Sequence, residues 1–176
     1  MSFARVRALS IVGALVVCAI VLAVVAVAKD RQSHASYAAT CPAGTIHVKT
    51  KPLPDEKDIK INVYNGTKTP NLASTVANEL KNRKFQVGEV KDSDPYDKIA
   101  KLHYGPKALA AATVVNAYFL GKADDGAAGF DPKDTSDVVD ITIGSQYTAL
   151  GTPTDVHQAI AQLGNPAPPS GTCDIS

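Results

Sequence analysis

The chain has 176 residues, of which 45% are hydrophobic and 20% charged, a composition that suits one globular domain with appendages and excludes a disordered or fibrous protein. Charge is unevenly placed: Ala8 to Ala28 contain none, and once Arg5 and Arg7 are set aside 16 basic residues face 17 acidic ones. A near-neutral remainder with no basic stripe excludes a nucleic-acid partner.

The first expected element is the uncharged run itself, ALSIVGALVVCAIVLAVVAVA. As a helix rising about 1.5 Å per residue it spans roughly 30 Å, the thickness of a bilayer hydrocarbon core. Arg5, Arg7 and the α-amino group precede it, which favours residues 1–7 on the cytoplasmic side and everything after residue 28 on the far side of the cell membrane, in a single pass. The alternative is a cleaved signal peptide, since Ala26-Val27-Ala28 fits a small-x-small site. The run is longer than the roughly 7–15 residues of a signal h-region, so an uncleaved anchor is the reading adopted. A lipoprotein is discounted because Val17, not a small residue, precedes Cys18.

Residues 29–57 read as an extracytoplasmic linker, with Pro52 and Pro54 keeping the chain extended. The domain proper is expected over residues 58–150. Ile59, Ile61 and Val63 alternate with Lys60, Asn62 and Tyr64, the period of a half-buried strand. Asn65-Gly66-Thr67 is a turn signal. Thr69 as N-cap and Pro70 at the first helical position open a helix whose apolar face is Leu72, Val76 and Leu80. Phe85–Val90 follows as a strand, then Lys91–Pro95 as a loop and Asp97–Tyr104 as a third strand. Pro106–Leu120 reads as a second helix with Leu109, Ala112, Val115 or Asn116, and Leu120 toward the core, ended by Gly121. Lys122–Ser136 is irregular, and Val138–Ile143 is the clearest strand of all. Thr152-Pro153-Thr154-Asp155 starts a short helix to Leu163, and a Pro-rich tail completes residues 151–176.

The order β-α-β-β-α-β, with two amphipathic helices to bury, predicts an α/β fold: an α+β two-layer sandwich on the ferredoxin-like plan, carried behind an N-terminal transmembrane helix. Cys18 lies in the apolar run and acts as a small hydrophobe. Cys41 and Cys173 lie at opposite ends of the exported part, where disulfides form, and are expected to bridge and tie the tail back, the alternative being two free thiols.

Candidate chemistry is sparse. No Cys/His pair has zinc-ligand spacing, so no metal site is expected. Asp124, Asp125, Asp131 and Asp134 fail the calcium-loop pattern, because Ala127-Ala128 follow Asp124-Asp125-Gly126 and no Glu closes the loop. They read as a solvated loop. His34, His47, His103 and His157 are scattered, and no catalytic residue and no cofactor is called for. Tyr64, Tyr104 and Tyr118 read as core-edge residues with hydroxyls reaching water, or else as a ligand platform. Asn65, Gly66 and Thr67, between a strand end and a helix start, are either a tight turn or a docking point for an anionic group of an envelope ligand.

INVYNGT at Ile61–Thr67, the helix Pro70–Leu80, Phe85–Val90, HYGP at His103–Pro106 and VDITIGSQY at Val139–Tyr147 together resemble the LytR C-terminal domain, over roughly residues 58–150. Lys84 stands where that family often has Gly. The module usually follows a LytR-CpsA-Psr catalytic domain, which transfers glycopolymers from a lipid pyrophosphate carrier to the cell wall. That domain's arginine-rich pocket has no counterpart here, since the exported part holds only Arg31 and Arg83, so the activity is not carried over. The resemblance to short anchored actinobacterial proteins implies a role in envelope integrity and cell-wall assembly. The module would act through a non-catalytic contact with another envelope protein or a cell-wall component. The alternative is a binding module for peptidoglycan or a lipid-linked cell-wall precursor.

Overall fold

The structure, a computed structural model, describes residues 13, 16–22, 24–25, 41–126, 129–163 and 167–176. The chain divides into two compact units, residues 1–39 and 40–176. In the first, residues 16–22 are helical and present exposed Val16, Val17, Ile20, Val21 and Leu22. Cys18 there is a free, exposed thiol. Most of the expected span Ala8–Ala28 lies outside the described residues, and among those described no helix is long and apolar enough to cross a membrane.

The second unit is a mixed α/β fold. Its strands are β1 (Ile46–Val48), β2 (Lys60–Asn65), β3 (Gln86–Asp92), β4 (Ala100–His103), β5 (Val138–Ile143) and β6 (Thr172–Asp174). Its helices are α1 (Leu72–Asn82), α2 (Leu109–Tyr118) and α3 (Pro153–Gln162). Four strands form one sheet in the order β3-β2-β5-β4; β2 pairs parallel with both neighbours, and β4 pairs antiparallel with β5. The pairing Ile61↔Val139, Val63↔Ile141 and Leu102↔Ile141 puts one set of apolar side chains on one face. All five of these are buried, and they join Val76, Ala77 and Leu80 of α1 and Ala112 and Val115 of α2 in a single core. The opposite face, with Lys60, Asn62, Tyr64, Asp140 and Thr142, stays partly open to water, which is the expected arrangement of two layers.

The strand order corrects the ferredoxin-like expectation. That plan splits its β-α-β unit with an inserted strand, whereas β2 and β3 here are direct neighbours. The composition of the strands accounts for it. β5 buries Val139, Ile141 and Ile143 completely and takes a central place beside β2. β3, with Gly88, Glu89 and Lys91 exposed, tolerates the edge. A bulge there sets two β3 residues against Asn62, whose Oδ1 accepts from the Glu89 N–H at 2.8 Å while its Nδ2 donates to Asp140 at 2.8 Å.

α1 starts at Leu72, not Pro70: Asn71 occupies the left-handed region at φ 59° and no side chain caps the helix, so Thr69 is not the N-cap. β4 is shorter than Asp97–Tyr104, because the residues before it turn to meet the end of β5 through Gly144 N–H to the Ile99 carbonyl (3.0 Å). The second helix begins with a 3-10 turn, Pro106–Ala108, and Leu120 is 40% exposed instead of facing the core. The helix ends earlier than expected, at Tyr118 with Phe119 as its cap; Leu120 takes the left-handed position after the cap at φ 55°, and Gly121 follows at φ 70°. α3 is capped as expected, with Asp155 N–H donating to Thr152 Oγ1 at 3.3 Å.

The expected disulfide is present: Cys41 and Cys173 are bonded, with Cα atoms 5.8 Å apart. Beside it lies an element the linker reading omits. β1 and β6 pair in parallel, Ile46↔Thr172 to Val48↔Asp174. Val48 and Thr50 are buried, and Thr50 Oγ1 donates to Asp174.

Candidate functional site

β2 and β5 run parallel and in register to their ends, Asn65 opposite Ile143. Each is followed by glycine, and the two glycines lie in the space where open α/β sheets bind ligands, outside the carboxyl ends of the strands. Gly66 donates to the Ile143 carbonyl at 2.9 Å, and its own carbonyl accepts from Tyr96 N–H at 2.8 Å. A Cβ at Gly66 would lie 2.9 Å from the Ile143 oxygen, so the close approach demands glycine.

Asn65 is the organising side chain. It is only 5% exposed. Its Nδ2 donates to the Thr69 carbonyl (3.0 Å) and to Asp92 (3.2 Å), and its Oδ1 accepts from Thr67 Oγ1 (2.8 Å) and Thr67 N–H (3.2 Å). Thr67 Oγ1 in turn accepts from Thr69 N–H at 3.0 Å. Asn65 is thus spent on shaping the turn, while Gly66 and Thr67 reach the surface of a crevice of about 780 Å³. Lys68, Thr69 and Leu72 continue its wall at the uncapped start of α1, and Tyr96, Ser145 and Tyr147 close the other side.

The crevice wall carries the Lys68 ammonium, the exposed Asp97 carboxylate and the hydroxyls of Ser93, Tyr96, Ser145 and Tyr147. Burial pushes the Tyr147 phenol up to about 12, with Glu79 adding to it, and burial followed by Asp124 raises Tyr96. Both therefore stay protonated at neutral pH. Tyr96 donates to Asp124 (3.2 Å), and Lys98 pairs with the same carboxylate at 2.9 Å. The Lys98 hydrogen bond is the main cause holding Asp124 below the usual carboxylate range. Ser93 and Ser145 hydroxyls donate to backbone carbonyls of Asp94 and Asp97, both at 3.3 Å, so neither is set against a base. Helix starts leave backbone N–H groups in need of acceptors. With Lys68 beside that end and Asp97 on the same lining, the crevice can hold a polar group.

The acidic stretch is pinned rather than loosely solvated. Asp124 holds Lys98, Asp125 accepts from Asn116 Nδ2 (2.5 Å), and Asp134 accepts from Ser136 N–H (2.8 Å). Among the described residues no group of His, Cys, Asp and Glu is arranged to hold a metal. The three tyrosines form no platform. Tyr64 lies on the open sheet face, Tyr104 and Tyr118 are buried, and their hydroxyls donate to Glu89, the Asp125 carbonyl and Glu56. Arg83 is structural: it donates to the Gly151 carbonyl (2.7 Å) and pairs with Glu79 (2.6 Å).

A family model described as LytR cell envelope-related transcriptional attenuator, the LytR C-terminal domain, matches residues 58–147. The chain belongs to this family. Within a LytR C-terminal domain the crevice glycines and Tyr96 fall inside the matched region. The fold is similar to a crystal structure of the soluble domain of a conserved hypothetical secreted protein from Mycobacterium marinum. That likeness has a TM-score of 0.53 and 22% identity, covering 69% of this chain and 84% of the other. No curated protein matches the sequence.

Tyr96, Ser145 and Tyr147 escape a sequence reading of the site. One signal was available: Gly144 follows the Val138–Ile143 strand just as Gly66 follows β2.

Proposed function

We propose that this LytR C-terminal domain protein is anchored in the cell membrane by residues 8–28, with its folded unit on the extracytoplasmic side. There it supports envelope integrity and cell-wall assembly through a non-catalytic interaction domain. The family match over residues 58–147, to a module described as cell envelope-related, carries this reading. The Cys41–Cys173 disulfide agrees with an exported compartment, and the related fold comes from a secreted protein. Its contact is with another envelope protein or a cell-wall component. Deleting the gene in its host and complementing with the anchored chain or the folded unit alone tests it. Sensitisation to wall-targeting antibiotics and detergent, rescued by the anchored form only, is the expected result. An unchanged strain refutes the role.

A second reading follows from the crevice beside Gly66, Thr67 and Lys68: a binding module for peptidoglycan or a lipid-linked cell-wall precursor, whose anionic group would sit at the start of α1. Retention on insoluble peptidoglycan, with amide shifts at Gly66 and Thr67 on titration of wall fragments, favours it. Clean flow-through and silent amides sink it.

A further inference from the structure

A second cavity, of about 920 Å³, lies among α2, α3, the acidic loop and the disulfide-held tail, and shares no lining residue with the strand-end crevice. Its size falls in the range of small-molecule sites, about 300–1,000 Å³. Ile46, Leu109, Ala117, Leu120, Phe130 and Leu163 supply an apolar wall. Leu120 is held in the left-handed region at φ 55°, packs on Gly151 and remains 40% exposed, so it presents apolar surface to the cavity.

The polar side of the cavity has one sign. Asp125 borders it, positioned by Asn116 Nδ2 on its Oδ2 (2.5 Å) and by Tyr104 Oη on its backbone carbonyl (2.9 Å). No basic side chain is among the described lining residues, and no described cation forms an ion pair with Asp125. A carboxylate against an apolar wall favours a partner that neutralises it and disfavours a second anion. We infer that this cavity binds a small cationic amphiphile, an apolar body bearing an ammonium group, with Asp125 as its counter-charge. The site is independent of the strand-end crevice and of the envelope reading.

Benzyltrimethylammonium, whose charge is permanent, is the probe, and benzylsulfonate is its anionic counterpart. Both are titrated into the full chain with its disulfide intact, following the amides of Asn116, Gly121 and Asp125. The cation should shift them and bind at least tenfold more tightly than the sulfonate. Asp125→Asn should weaken the cation about tenfold, since a quaternary ammonium has no N–H and the substitution removes its coulombic attraction to the carboxylate. Ala159→Phe, which fills the cavity from α3, should abolish the shifts while leaving the Val139–Ile143 amides in place. Equal binding of the two probes, cation binding unchanged by Ala159→Phe, or no shift at millimolar probe overturns the inference. Should Asp125→Asn unfold the loop, the probe comparison and the Ala159→Phe variant still decide it.

Discussion

Replacing Lys84 by glycine should make this protein more stable, although the substitution removes a side chain and adds no contact. α1 ends at Asn82, Arg83 caps it, and Lys84 follows at φ 77°. Lys84 N–H donates to the Lys81 carbonyl (2.8 Å) and Phe85 N–H to the Leu80 carbonyl (3.1 Å), the paired bonds of a Schellman motif. The motif's apolar contact is present too, with Leu80 and Phe85 both buried. A non-glycine residue in the left-handed region costs about 1–2 kcal/mol. Glycine relieves that, but its looser unfolded chain gives back about 0.4–1 kcal/mol. The Lys84 side chain is exposed and contributes little packing. The net gain is about 0.5–1 kcal/mol, or roughly 2–4 °C in Tm for a domain of this size. Urea and thermal melts of Lys84→Gly beside Lys84→Ala and the parent chain are the assay. Alanine keeps the strained backbone and should gain nothing. A glycine variant no more stable than the parent, or an alanine variant stabilised equally, refutes the backbone argument.

At Gly144 a Cβ would lie 2.1 Å from the Lys98 carbonyl oxygen and 2.7 Å from Tyr96 Cδ1, so Gly144→Ala should cost about 2–3 kcal/mol in denaturant melts; a neutral effect would contradict the close approach of strand end and loop. Cys173→Ser should lower the melting temperature while leaving the four-stranded sheet intact. The chain-entropy model sets an upper limit of about 5 kcal/mol for a sequence separation of 132, and identical melting of oxidised and reduced samples would contradict it. At Asp174 burial opposes the charge, but hydrogen bonds from Ser176 and Thr50 outweigh it and hold the carboxyl down at about 2. That lies below its unfolded value of about 3.9, so its stabilisation is present above about pH 4 and is lost as pH falls through about 2. Protection of the Thr50 and Ser176 amides, taken relative to the unfolded-chain exchange rate at each pH, should fall over that interval in the parent and not in Asp174→Asn.

Local periodicity made much of this fold legible. Val138–Ile143 was readable to the residue because alternation of fully buried and half-buried positions leaves one solution. The α1 face of Val76, Ala77 and Leu80 was equally plain, but its start was not, because Asn71 breaks the Thr69-Pro70 signal by turning left-handed. Strand order is a different kind of information. It depends on which strand best fills the centre, and β5 wins through long-range burial that no single window displays. β1 and β6, three residues each, carry no period; they exist because the disulfide and Thr50 bring two distant segments together. Of the candidate site, Asn65-Gly66-Thr67 was visible as a turn. Tyr96 and Tyr147 arrive beside it only through the register of the folded chain.

The bond between Cys41 and Cys173 turns 133 consecutive residues, both ends included, into a covalent ring, with the core sheet and both cavities strung inside it. A pull on the chain from outside the ring, at either end, is carried across the sulfur bridge and does not peel β2 or β5 from its neighbours. A single cut in any loop within the ring opens it without releasing a fragment. For a domain held by one end, load passes through the ring's junction while both cavities stay out of the line of tension.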